Sequence, residues 1–204
     1  MCIRDSQTLR RLTHLALSGC SALEDIDALR GCADLSALDL SGCAALQDID
    51  ALRGCAALTT LNLSGCSALQ NVDGLQTHSH LTRVDLGACV SLQDIDGLRG
   101  CTDLTHLNLW DCSALRDLRA LRGHAELVSL NLWGCSALER IGGLQGCSSL
   151  ETLYLGGCDA LQTLEGLEGC ASLTRLDLRG CVGLRGVAPA LYEGREAIRR
   201  IFNT

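Results

Sequence analysis

The chain has 204 residues, enough for one elongated domain, and carries 17 basic against 24 acidic side chains, a formal charge of −7. That balance argues against nucleic acid as partner, because a phosphate backbone is met by clustered basic residues. No stretch reaches the ~18 consecutive apolar residues of a membrane-crossing helix, so no membrane span is expected.

The first six residues, Met-Cys-Ile-Arg-Asp-Ser, stand outside every pattern that follows. Back-translated, they resemble the transposon mosaic end of sequencing-library adapters. Residues 1–6 are therefore expected to be an adapter-derived scar on a metagenomic fragment, and are left out of the fold. Leu9 offers the first coil little cover.

From Leu12 a 23-residue period takes over. Leu12, Leu35, Leu58, Leu81, Leu104, Leu127, Leu150 and Leu173 form one row, and Leu17 to Leu178 and Leu23 to Leu184 form two more. A fixed period of this length marks a solenoid, in which each unit buries its apolar edge only against its neighbours. Within a unit, Leu38 and Leu40 are two apart and share one face of a strand, while Ala37, Asp39 and Ser41 point the other way. After Cys43 the apolar step becomes three, through Leu46, Ile49, Leu52, Cys55 and Leu58. A step of three suits a 3₁₀ turn, with Asp50 expected to cap its start and Gly54 to end it. Eight such units predict an α/β right-handed solenoid with one continuous parallel sheet, roughly 35–40 Å long at ~4.8 Å per strand.

The segment Leu58–Leu69, L-T-T-L-N-L-S-G-C-S-A-L, resembles the leucine-rich repeat family, in the cysteine-containing form found in plant immune receptors and bacterial signalling proteins. The resemblance covers Leu12 to about Val187 and implies a horseshoe with its sheet on the concave side and short turns on the convex side. The family's usual asparagine after the strand is cysteine here. The loop is then expected to be held by thiols and backbone bonds, not by an amide ladder.

Thirteen of the 14 cysteines fall on two repeat rows: Cys20 to Cys181, and Cys32, Cys55, Cys101, Cys147 and Cys170. Rows at the repeat period are core positions, where a free thiol behaves as a small apolar group. Buried, reduced thiols point to the cytoplasm, with a secreted or surface location as the alternative if an upstream leader is missing. His78 and His124 replace cysteine in the second row. Zinc needs four ligands converging on a point, whereas a ladder sends its side chains out in parallel, so semi-buried histidines without metal are expected. The pairs Asp25/Asp27, Asp48/Asp50 and Asp94/Asp96 raise calcium. The plainer reading is one capping carboxylate and one solvated, with surface ion pairs Asp27–Arg30, Asp50–Arg53 and Asp96–Arg99.

No nucleophile–base grouping and no phosphate loop emerges, so the chain is read as non-enzymatic, with no cofactor. His14 and His106 share an outward row but lie four repeats apart. The informative positions are the outward rows of the sheet. Trp110 and Trp133, the only two tryptophans, share one such row in adjacent repeats, and Tyr154 is on the neighbouring row. Around them fall Arg83, His106, Asn108, Asn131, Arg175, Asp177 and Arg179. Exposed Trp, Tyr and Arg are the types that dominate binding hot spots. The expected function is a monomeric recognition module for a protein or peptide ligand, part of a larger signalling or sensor protein. The alternatives are a secreted adhesion repeat and the regulatory arm of a GTPase or other enzyme.

Residues 7–188 are read as the repeat domain. At 189–204 the period fails: Pro189 breaks the backbone pattern and Ala190 and Glu193 break the rows. From Glu193 to Phe202, Ala197, Ile198, Ile201 and Phe202 share a helical stripe. This tail is expected to cap the last coil, or to open a linker to a further domain. It resembles the exit from the repeat array in bacterial multidomain proteins, which implies a following signalling domain such as a GTPase.

Overall fold

A computed structural model describes residues 11–202; the expectation for residues 1–6, and Leu9, lie outside the described residues. Eight three-residue strands recur at the repeat period: β1 (His14–Ala16), β2 (Ala37–Asp39), β3 (Thr60–Asn62), β4 (Arg83–Asp85), β5 (His106–Asn108), β6 (Ser129–Asn131), β7 (Thr152–Tyr154) and β8 (Arg175–Asp177). Each pairs in parallel with the next, one repeat apart, from His14 opposite Ala37 to Thr152 opposite Arg175. The strands are short because only their central Leu or Val must reach the core, and the turn begins at once. Six 3₁₀ turns lie on the other side: η1 (Asp27–Leu29), η2 (Asp50–Gly54), η3 (Asp73–Leu75), η4 (Asp96–Gly100), η5 (Arg119–Leu121) and η6 (Gly142–Leu144).

Between sheet and turns the leucine columns run unbroken. Leu35, Leu40, Leu46, Ile49, Leu52 and Leu58 are all buried, as are their counterparts in later coils up to Leu184 and Val187, which are only partly buried. Burying one such side chain is worth about 1.5–3 kcal/mol, and no coil can do so alone. In the first coil Leu12, Leu15, Leu17 and Leu23 are only partly buried, and Cys20 is exposed. The other twelve described row thiols are buried.

Those thiols are hydrogen-bond donors as well as filler. In the first row each Sγ from Cys43 on donates to a carbonyl of the preceding coil: Cys66 to Leu40 O (3.3 Å), Cys112 to Leu86 O (3.1 Å), Cys181 to Leu155 O (2.9 Å). The second row repeats this at longer range, with Cys55 to Leu29 O and Cys101 to Leu75 O, both 3.6 Å. The two histidines are fully buried rather than half-exposed. His124 Nε2 takes over the thiol's bond, to Leu98 O at 3.1 Å. His78 does not: neither ring nitrogen has a partner.

The convex aspartates exchange the roles expected of them. Asp48 Oδ1, not Asp50, accepts from the Asp50 N–H (3.2 Å), so the stabilising oxygen comes from two residues before the turn. Asp50 itself holds Arg53 at 2.8 Å, and Asp27 holds Arg30 likewise. Asp96 binds Arg99 and also Arg119 of the next coil, both at 3.1 Å.

The sheet does not end parallel. A ninth strand, β9 (Leu191–Glu193), pairs antiparallel with β8, Arg175 opposite Glu193 and Asp177 opposite Leu191. Thirteen residues, 178–190, connect β8 to β9, where 20 residues, 155–174, connect β7 to β8. Pro189, with its fixed φ and missing N–H, interrupts the coil, and the chain re-enters the sheet at the end it had just left. Helix α1 (Arg195–Phe202) starts two residues later than its stripe implied, buries Ile198 and leaves Phe202 exposed.

Candidate binding surface on the open face of the sheet

The site is built by a ladder of side-chain oxygens. At the last residue of most strands stands Asp or Asn, and its Oδ1 accepts the N–H two residues on: Asp39 to Ser41 (2.9 Å), Asn62 to Ser64 (3.0 Å), Asp85 to Gly87 (2.9 Å) and Asp177 to Arg179 (3.1 Å). Asn108 does this for Trp110 (3.1 Å) and Asn131 for Trp133 (3.0 Å). Such Asx bonds pin the turn and set the direction of the residue that follows. The tryptophans therefore stand in the turns just past β5 and β6, not on the strands themselves. They face outward nonetheless, 45% and 37% exposed.

Trp133 lies over Gly156, its equivalent in the next coil. A Cβ at 156 would approach the indole Cδ2 to 2.9 Å and other ring carbons closer still, so only glycine leaves room for the ring. One coil further on, the Arg179 guanidinium sits 5.4 Å from the Trp133 ring centroid, within range of a cation–π contact. Asp177 fixes that arginine, accepting from Nε at 2.9 Å and Nη2 at 2.6 Å. Burial pushes the Asp177 carboxyl up, but the Arg179 hydrogen bonds outweigh burial and hold it below its ordinary value. Arg175 lies 6.0 Å over the Tyr154 ring and meets Glu193 at 3.4 Å.

Six of the ten expected residues, Trp110, Asn131, Trp133, Tyr154, Asp177 and Arg179, line one open hollow of about 320 Å³. Arg175 joins it through Tyr154, and Asn108 through the Trp110 backbone. Arg83 and His106 are partners in register on β4 and β5 and do not line the hollow. Among the described residues no three His, Cys, Asp or Glu side chains converge as metal ligands, and no helix is long and apolar enough to cross a membrane.

Several contributing residues were not singled out from sequence. Gly156 seats the indole, Asp85 accepts from Asn108 Nδ2 (3.0 Å), and Glu193 pairs with Arg175. The backbone adds another signal. The residue after the outward turn position is glycine at positive φ in most coils, but Ala88 and Asp111 both adopt φ 57°. Left-handed backbone costs a non-glycine residue about 1 kcal/mol, and here it is confined to two coils at the tryptophan patch. The visible signal was the break in the glycine column.

Period, parallel register and leucine core together define a leucine-rich-repeat solenoid, and that is the fold of this chain. Among solved structures it is similar to internalin C2 of Listeria monocytogenes, with a TM-score of 0.65 at 21% identity, covering 88% of this chain and 74% of that one. It is also similar to the leucine-rich repeat domain of the type III effector XopL, with a TM-score of 0.57, 21% identity and the same coverages. No protein-family model and no curated protein sequence matches it.

Proposed function

We propose that the chain is a non-enzymatic recognition module that binds a protein or peptide segment across the open face of its sheet, anchored at Trp110 and Trp133. One observation carries this reading. The only two tryptophans of the chain are held outward side by side by Asx bonds, one of them seated on a glycine and braced by an arginine, where they cover no core. Exposed aromatic surface fixed in this way costs little entropy on binding. Repeat solenoids present long surfaces rather than closed pockets, which favours binding over chemistry. The likeness in fold to an internalin and to the repeat domain of a bacterial effector is in keeping with such a module. The buried thiol rows favour a reducing compartment, and β9 with α1 is read as the cap of a repeat domain spanning 7–188.

The test is replacement of both tryptophans by serine, with Asp48→Asn plus Asp50→Asn as the convex control. Once a partner has been selected, the tryptophan variant should keep the parent's circular dichroism and lose at least ~30-fold in affinity, about 2 kcal/mol. The convex variant should bind like the parent. Equal affinity for the parent and the tryptophan variant would refute the proposal.

A further inference from the structure

Resting on that reading, we infer that the Trp110 end of the face takes an arginine side chain from a basic peptide segment of the partner. Arg179 displays the arrangement within the molecule itself: a guanidinium set against an indole and held by a carboxylate, with Trp133 and Asp177 as its two supports. Trp110 has the aromatic surface and the Asp85 carboxylate near it, but among the described residues no cation of its own. It is also the more exposed of the two indoles.

Gly87 shows how near a carboxylate lies to this indole. A Cβ at 87 would lie 3.2 Å from Asp85 Oδ1, 3.2 Å from Asn108 Nδ2 and 3.7 Å from Trp110 Cβ. Those three groups thus close around the buried Gly87 too tightly to admit a side chain there, which sets Asp85 and Trp110 side by side and leaves the solvent side of the indole as the approach for a guanidinium. Asp85 accepts the Gly87 N–H and the Asn108 amide, and no ion pair of Asp85 or Asp111 occurs among the described residues. Asp177, by contrast, is already engaged by Arg179. A carboxylate without an ion pair near an exposed indole, on a chain of net charge −7, favours a cation. Arginine suits the site better than lysine: its planar fork can lie on the ring while its N–H groups reach the Asp85 carboxylate.

The test is a selection of short random displayed peptides on the full chain, subtracted with the Trp110→Ser, Trp133→Ser variant. The best peptide is then titrated beside its counterpart with citrulline for arginine, which keeps the shape and removes the charge. Recovered peptides should carry arginine. Citrulline should cost roughly tenfold in affinity, the order of one cation–aromatic contact with its carboxylate. Asp85→Asn should cost a similar factor. Its fold is safe, because Asn62, Asn108 and Asn131 make the same turn bond with an amide. Peptides without arginine, or equal binding of the citrulline form, would overturn this inference and leave the binding face intact. Recovery of no peptide that discriminates parent from variant would overturn the face itself.

Discussion

At position 78 an imidazole stands where other coils place a thiol, fully buried and without a partner for either nitrogen. A buried unsatisfied polar group costs about 1–3 kcal/mol. His78→Cys is therefore expected to stabilise the protein by about 1 kcal/mol or more, read as a higher denaturation midpoint at unchanged slope. His124→Cys should gain little, because His124 already bonds to Leu98 O. A lower midpoint for His78→Cys would show that the imidazole is satisfied. Position 156 makes a second residue-scale test. Its φ is not in the left-handed region, so alanine is allowed by the backbone but not by the Trp133 ring. Gly156→Ala should expel the indole, red-shift the emission and weaken ligand binding while leaving stability nearly unchanged. An unmoved spectrum would contradict the seating of Trp133. That both tryptophans face outward was legible from their row. Their setting was not: the seat of Trp133 belongs to the next coil and its brace to the one after.

At the scale of the repeating element, the thiol rows make the strongest claim. Burial is the main cause that pushes Cys66 and Cys101 from the ordinary 9.0 up to about 12, and Cys55 and Cys147 to about 11. Thiols so placed are neutral in the fold, whereas the unfolded chain ionises near pH 9. The stability they contribute is complete below pH 9 and is lost as pH rises from there toward about 12. Denaturation midpoints should accordingly fall steeply above pH 9. A flat profile there would contradict thiol burial. With a thiol reagent at neutral pH, Cys20 alone among the described cysteines should react in the native protein, and all 14 of the chain after denaturation without reductant. A shortfall after denaturation would mean disulfides, and with them the case for a reducing compartment fails. The rows, the strands and the 3₁₀ turns were legible because apolar residues repeat at a step of two and then of three. The Asx ladder was not. Asp39 and its counterparts look like ordinary outward polar residues until the turn that follows brings an N–H onto each Oδ1. The same geometry explains why Asp48, rather than Asp50, supports the convex turn.

For the whole molecule, a sheet built one coil at a time produces an extended face with no natural cleft, so specificity must come from what interrupts the repeat. The interruptions converge. The tryptophans, the non-glycine left-handed turns at Ala88 and Asp111, and the Asp177–Arg179 pair fall within the stretch from β4 to β8. At the C-terminal end, sequence periodicity could show that the coil stops at Pro189 but not that β9 would pair antiparallel. That pairing depends on the open edge of β8, which no local pattern encodes. The central claim is that this face, and not the convex side or the ends, meets the partner. Because the chain's only two tryptophans lie on it, their fluorescence reports its occupancy directly. Titration of the parent protein with a saturating partner free of tryptophan should shift or quench that emission along the binding isotherm measured independently by calorimetry. A full calorimetric isotherm with no change in tryptophan emission would place the interface elsewhere and contradict the account.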